Sequence, residues 1–103
     1  MINITLEELD ARTAADKPVI IDFFATWCGP CKMFAPIFER VGEKCDCVDF
    51  AEIDIDEQPE MADRFGIQNV PFVVAMKNGE IVHQAPGIMT ESGLAELAAR
   101  ISE

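Results

Sequence analysis

The chain has 103 residues, half of them hydrophobic, and a formal net charge of −11 at pH 7. This length suits a single domain, residues 1–103, that can bury a core without structural disulfides or metal ions. The negative charge argues against nucleic acid and anionic membranes as partners, because both attract basic surfaces. No apolar run reaches the roughly 18 residues of a membrane-spanning helix, and the start of the chain does not have the features of a secretory signal. We therefore expect a cytoplasmic protein, and we expect a monomer.

The first quarter of the chain predicts a strand, a short helix and a second strand. Thr5 and Glu8 have the spacing of a capping box, which predicts a helix through about Arg12 after a first strand over residues 2–4. The run from Pro18 to Ala25 is dense in β-branched and aromatic residues. Such a run is typical of a buried strand in a parallel or mixed sheet.

The remaining elements continue this alternation and include a hairpin. Their predicted ranges are a helix from Cys31, a strand over 48–55, a helix over 59–65, two strands over 72–76 and 80–84, and a helix from about Thr90. Asn78-Gly79 between the last two strands is a strong hairpin signal. This order predicts an α/β protein with a mixed five-stranded sheet, flanked by four helices in three layers.

Cys28 and Cys31 form a Cys-Gly-Pro-Cys motif between the buried strand and the next helix. Cys28 is predicted at or before the first helical turn, where free N–H groups and the helix dipole favour an anion. A thiolate there has a lowered pKa and is the reactive form of cysteine. Cys31 lies within reach across one turn, and Gly29-Pro30 supply the tight turn.

This motif predicts dithiol–disulfide exchange. Cys28 attacks a substrate disulfide, and Cys31 then attacks Cys28 and releases the reduced substrate. A separate enzyme has to reduce the resulting Cys28–Cys31 disulfide, because the chain contains no nucleotide-binding loop.

Asp22 interrupts the buried strand that precedes the motif. Burial disfavours the charged form of a carboxyl group, so the pKa of Asp22 should rise. A raised pKa would suit a base that accepts the proton of Cys31. The alternative is a polar residue that is capped or linked to water at the end of a strand.

Four segments carry a family resemblance: 19–25, 27–36, 66–71 and 77–79. With Trp-Cys-Gly-Pro-Cys-Lys at their centre, they resemble the thioredoxin family over nearly the whole chain. The resemblance implies the thioredoxin fold and a protein-disulfide reductase that works as an electron carrier. It also implies that no cofactor is needed beyond the redox-active Cys28–Cys31 disulfide, that no metal is bound, and that thioredoxin reductase and disulfide-containing proteins are the partners.

The resemblance further implies a role for each matching residue. Cys28 would be the nucleophile, Cys31 the resolving thiol and Asp22 the buried proton acceptor. Gly29 and Pro30 would tune the redox potential towards a reductant rather than an oxidase. The implied substrate groove consists of Trp27, Val70, Pro71 with a cis peptide bond, and Gly87.

Three residues depart from the family pattern. Phe24 stands where many relatives have tryptophan, which keeps an aromatic side chain and should matter little. Glu52 stands where many bacterial relatives have lysine, and if it approaches Asp22, two like charges would raise at least one carboxyl pKa. Phe72 follows Pro71 where threonine is usual. Phe72 either borders the groove and alters the choice of partner, or it points into the core.

Cys45 and Cys47 lie between the motif helix and the next strand. They allow three interpretations: small hydrophobic residues near the start of a strand, a second redox or regulatory site, or ligands that join Cys28 and Cys31 in a zinc site. A separate hypothesis for the whole chain is a binding subunit that keeps the fold for a partner complex without turning over.

Overall fold

The computed structural model describes residues 5–14 and 17–103, which form four helices and four strands. In chain order these are α1 (Leu6–Ala14), β1 (Val19–Phe24), α2 (Gly29–Glu43), β2 (Asp49–Asp54), α3 (Pro59–Phe65), β3 (Phe72–Lys77), β4 (Glu80–Pro86) and α4 (Glu91–Ile101). Each predicted element within this part of the chain is present, with ends that differ by at most two residues. The predicted fifth strand, over residues 2–4, lies outside the described residues.

The sheet has the strand order β2-β1-β3-β4. β1 and β2 are parallel, whereas β3 is antiparallel to β1 and to β4. The predicted mixed sheet is therefore confirmed. Its register places Asp22 opposite Glu52 on one side and opposite Val73 on the other.

Asn78 and Gly79 form the predicted turn between β3 and β4. Both have positive φ angles, 55° and 78°, which is the requirement of the two-residue type I′ turn that Asn-Gly favours. The hairpin also contains a β-bulge, because Ala75 pairs with His83 while the next residue, Met76, pairs with Ile81. A bulge of this kind increases the local twist of the strand pair.

Local capping chemistry sets the ends of three helices. The backbone N–H of Glu8 donates to Thr5 Oγ1 at 3.2 Å, and that of Gly93 donates to Thr90 Oγ1 at 3.0 Å. In the same capping box, the Glu8 carboxylate accepts a hydrogen bond from the Thr5 hydroxyl group. Gly66 ends α3 with a left-handed φ of 65°, as predicted.

Helices cover both faces of the sheet, which confirms the three layers. On one face, α2 and α4 pack over the sheet in a cluster whose buried residues include Phe34, Phe38, Phe50, Leu94 and Leu97. On the other face, a second cluster combines residues of α1 and α3 with the sheet; it includes Leu9, Ile21, Ile53 and Met61. Alternation along β1 assigns Ile21 to the second cluster, and Ile20 and Asp22 to the side of α2.

Phe38 is the central ring of the contact between α2 and the sheet. It is fully buried, and its centroid lies 5.7 Å from that of Phe34 and 5.1 Å from that of Phe50. Aromatic pairs at these separations and tilts add to the free energy of burial. This cluster fixes α2 to the sheet.

We expect Phe38→Ala to lower the free energy of unfolding by about 3–5 kcal/mol, because it removes a buried ring and leaves a cavity. Urea unfolding of the oxidised protein measures the change. Glu39→Ala, the exposed neighbour on the same helix, is the control and should change it by less than about 0.5 kcal/mol. Equal effects of the two substitutions would contradict this view of the core.

Candidate active site

Cys28 and Cys31 form a disulfide at the N-terminus of α2, with their Cα atoms 5.3 Å apart. Cys28 is the N-cap residue, and its Sγ accepts a hydrogen bond from the backbone N–H of Cys31 at 3.2 Å. Gly29 and Pro30 occupy the first two helical positions and are exposed. The two cysteines are only 5% and 3% exposed.

This placement explains the reactivity expected of Cys28. The first turn of a helix has N–H groups without partners in the helix, and the positive end of the dipole lies there. Once the disulfide is opened, the same N–H of Cys31 that now reaches Cys28 Sγ can stabilise a thiolate on it. A preceding turn, in which the N–H of Cys28 donates to the Ala25 carbonyl at 3.2 Å, brings the chain from β1 to this position.

Three residues of the predicted groove are joined to one another, and one of them, Val70, lies beside Cys28. The Val70 carbonyl oxygen is 3.6 Å from Cys28 Sγ. The peptide bond from Val70 to Pro71 is cis, the geometry that the family resemblance implies. Gly87, with a φ of 81°, donates its N–H to the Pro71 carbonyl at 2.9 Å.

Trp27, the fourth predicted groove residue, is 68% exposed. Its indole N–H donates to Asp56 Oδ2 at 2.9 Å, and the backbone N–H of Asp56 donates to Asp54 Oδ1 at the same distance. Sequence analysis missed Asp56. The sequence did contain a signal for it, because Trp27 and Asp56 each follow the end of a predicted parallel strand. The carboxyl ends of such strands lie at one edge of the sheet.

Asp22 lies beneath the disulfide and is 1% exposed. Its Oδ1 has no hydrogen-bond partner among the described residues. Burial, and to a smaller extent the charge of Glu52, raises the pKa of Asp22 from 3.8 to about 8. Asp22 borders a cavity of about 250 Å³, whose other lining residues are Phe24, Ala25, Thr26, Cys31, Lys32, Ala35 and Glu52.

The hypothesis that Glu52 approaches Asp22 is confirmed. The two residues are cross-strand partners in parallel strands and line the same cavity. Glu52 is half-buried. Burial, and then the charge of Glu39, raises its pKa above the usual value.

The structure decides between the alternatives for Phe72. Phe72 is half-buried and packs against the cluster that contains Val74 and Met76. Its side chain therefore contributes to the core on the face opposite α2.

Cys45 and Cys47 have different environments. Cys45 is half-buried against the cluster of α2 and α4, as expected for a small hydrophobic residue, whereas Cys47 is exposed. In the described part of the chain, no group of three or more His, Cys, Asp or Glu residues has the arrangement of a metal site. Among the described residues there is likewise no helix with the length and apolar character needed to cross a membrane.

A Cys-Gly-Pro-Cys disulfide at the N-terminus of a helix is the arrangement of proteins that exchange thiols and disulfides. The chain is accordingly a protein thiol–disulfide oxidoreductase. Comparison with known families agrees, because the thioredoxin family model matches residues 1–100. The chain belongs to the thioredoxin family.

Individual relatives resemble this chain over most of its length. A thioredoxin from Alicyclobacillus acidocaldarius is 44% identical over 99 residues, which cover 92% of this chain and 94% of that protein. Among solved structures, a mutant thioredoxin from Halobacterium salinarum superimposes with a TM-score of 0.86 at 35% identity, covering 99% of this chain and 88% of that one. A bifunctional thioredoxin reductase/thioredoxin from Mycobacterium leprae is 38% identical over 97 residues, 88% of this chain and 21% of that protein.

The raised pKa of Asp22 predicts a pH-dependent cost to stability. Between pH 3.8 and about 8 the folded protein holds a proton that the unfolded chain releases, so stability is lost as the pH rises through this window. Asp22→Asn removes the titration. The free energy of unfolding of this variant should exceed that of the wild type by an amount that grows with pH. The difference should be at most about 4 kcal/mol at pH 7.

Urea unfolding of the oxidised proteins at pH 4, 7 and 9 measures this difference. The contributions of carboxyl groups that do not interact with Asp22 cancel between the two proteins. A difference that does not change with pH would show that Asp22 does not titrate in this window.

Proposed function

We propose that this protein reduces disulfide bonds of other proteins and that thioredoxin reductase reduces it in turn, so that it works as an electron carrier. One observation supports this most directly. Cys28 caps α2 with its Sγ on the N–H of Cys31, while Cys31 borders the cavity of Asp22. The two sulfur atoms thus have unequal surroundings, as an attacking and a resolving thiol require.

In the first step, the Cys28 thiolate attacks a sulfur atom of the substrate disulfide. A mixed disulfide forms, and the other substrate sulfur leaves with the electron pair. Cys28 suits this step because the N-terminus of α2 stabilises its thiolate.

In the second step, Cys31 attacks Cys28 Sγ and releases the second substrate thiol. Asp22 takes the proton from Cys31, either directly or through water in the cavity, which is large enough to hold several molecules. The proton then stays on Asp22 in the oxidised protein, in agreement with the raised pKa of this carboxyl group. No further cofactor is required.

Gly29 and Pro30 tune the redox potential in this proposal. Pro30 has no N–H, so it offers the Cys28 thiolate one donor fewer than another residue would. A less stabilised thiolate makes the dithiol a stronger reductant. The motif thereby favours reduction of substrates over their oxidation.

Substrates bind at the groove of Trp27, Val70, Pro71 and Gly87. The hydrogen bond between Gly87 and Pro71 keeps two sides of the groove together, and the Val70 carbonyl lies next to Cys28 Sγ. Trp27 presents an exposed ring that Asp56 holds in place. A disulfide in an extended segment of the partner fits these features.

The M. leprae relative supports the choice of reductase, because its name joins a thioredoxin reductase to a thioredoxin. We place the protein in the cytoplasm, where the free thiols of Cys45 and Cys47 stay reduced. A charge of −11 supports a monomeric state, because it makes copies of the chain repel each other. We treat residues 1–103 as one domain, because the helices on both faces share one sheet.

Substrate trapping tests the assignment of the cysteines. Cys31→Ser should accumulate a mixed disulfide through Cys28 with a disulfide-containing protein such as insulin, because the resolving thiol is missing. Cys28→Ser should abolish both trapping and insulin reduction. Mass spectrometry of tryptic peptides identifies the linked cysteine.

Cys47→Ser is the matched control, since it removes an exposed cysteine outside the motif and should reduce insulin like the wild type. Trapping through Cys45 or Cys47 would contradict the proposed roles. A folded wild-type protein that does not accelerate insulin reduction by dithiothreitol would instead support a binding subunit.

A further inference from the structure

Two carboxyl groups face the cavity beneath the disulfide. Asp22 and Glu52 are cross-strand partners on the face of the sheet that α2 covers, and the cavity they line also reaches Cys31. Asp22 is 1% exposed and its Oδ1 has no partner among the described residues, whereas Glu52 is half-buried. Glu52 is thus partly open to the surrounding solvent, whereas Asp22 is almost fully covered.

The other elements around Asp22 bring little that could balance its charge. On β3 its cross-strand partner is Val73, which is apolar. On α2, Cys31 faces the cavity, and Lys32 contributes to its lining with a side chain that is largely exposed. Glu39, also on α2, adds negative charge near Glu52. The surroundings of Asp22 therefore favour its protonated form.

We propose that Glu52 is a positioning residue for the proton of Asp22. The Glu52 carboxylate keeps this proton on Asp22 while the Cys28–Cys31 disulfide is closed, so that Asp22 can donate it to Cys31 Sγ when a thiolate opens the disulfide. The inference rests on the proposed function, in which an external dithiol reduces the protein.

Reduction of the disulfide in this way conserves electrons, protons and charge. The thiolate of the reductant attacks Cys28 Sγ and forms a new S–S bond. The Cys28–Cys31 bond breaks, its electron pair goes to Cys31 Sγ, and the proton of Asp22 moves to the same atom. One negative charge enters on the thiolate and remains on the Asp22 carboxylate.

The negative charge of Glu52 matters because a buried carboxyl group loses its proton at a pH that depends on its neighbours. With a neutral residue at position 52, Asp22 would ionise at lower pH. Cys31 would then leave as an uncompensated thiolate in a buried position, which is a poor leaving group. Glu52 thereby extends the pH range over which the disulfide can be reduced quickly.

Rapid-mixing kinetics test this directly. Trp27, the single tryptophan of the chain, adjoins Cys28, so its fluorescence can follow reduction of the disulfide by dithiothreitol between pH 5.5 and 9.5. Asp22→Asn has no proton to donate. Dividing each rate constant by that of Asp22→Asn at the same pH cancels the ionisation of dithiothreitol.

For the wild type, this rate ratio should be above one at low pH and fall towards one, with a midpoint near pH 8. Glu52→Gln should move the midpoint down by about one pH unit. At pH 7.5 this shift lowers the acceleration of disulfide reduction due to Asp22 by about threefold. Glu52→Lys should move the midpoint further in the same direction.

Glu96→Gln removes the same charge from an exposed position on α4 and is the control, with an unchanged midpoint. Carbon-13 NMR of the Asp22 carboxyl in the oxidised proteins should show the same order of midpoints. A Glu52→Gln profile that coincides with that of the wild type overturns the inference, as does a wild-type ratio that does not vary with pH.

These outcomes are separate from a failure of the proposed function. The dithiothreitol reaction needs only the disulfide and so reports on Glu52 even in a protein that does not reduce insulin. Normal insulin reduction together with an unshifted profile would leave the proposed function intact and reject the role of Glu52 alone.

Discussion

The contact between α2 and the sheet determines the position of every reactive group in this protein. Phe34 and Phe38 are fully buried on the inner face of the helix, and Phe38 meets the ring of Phe50 on the sheet. Because this apolar contact holds the helix, its N-terminus stays at the end of β1, where Cys28 and Cys31 lie. The fold does not need their disulfide as a staple, so the bond is free to open and close.

The same helix covers a carboxyl group that the core would not otherwise contain. Alternation along β1 directs Asp22 to the side of Ile20, which belongs to the cluster of α2 and α4. An apolar residue at position 22 would stabilise the sheet, since a buried carboxyl without a partner is costly. Proteins retain such local conflicts mainly where chemistry requires them. In the proposed function, proton transfer between Asp22 and Cys31, which line the same cavity, supplies this chemical reason.

Much of the fold was predictable, because it depends on local patterns. The apolar period identified the elements within the described residues, and Asn78-Gly79 predicted the turn, since both positions need positive φ. The registers of the strands were harder to predict, because they depend on contacts between residues that are far apart in sequence. The polar phase of the strand around Glu52 suggested its approach to Asp22, and the pairing of β1 with β2 supplied the proof.

Other features of the site had no decisive local signal. Only about 5–6% of X-Pro bonds are cis, so the bond before Pro71 was predictable by resemblance and not by physics. The hydrogen bond from Trp27 to Asp56 joins two loops that lie together only because β1 and β2 pair in parallel. The alternation of side chains along β3 allowed Phe72 to lie on either face of the sheet. In the structure it packs against the core that α1 and α3 form with the sheet.

The β-bulge between β3 and β4 has a consequence for the behaviour of the protein at high concentration. β4 lies at the end of the strand order, and its exposed residues include Ile81 and Val82. A flat apolar strand in that position would be a template for pairing with another copy of the chain. The bulge twists the strand at these two residues, and Glu80 adds charge beside them. The hairpin therefore protects this acidic protein from forming intermolecular sheets.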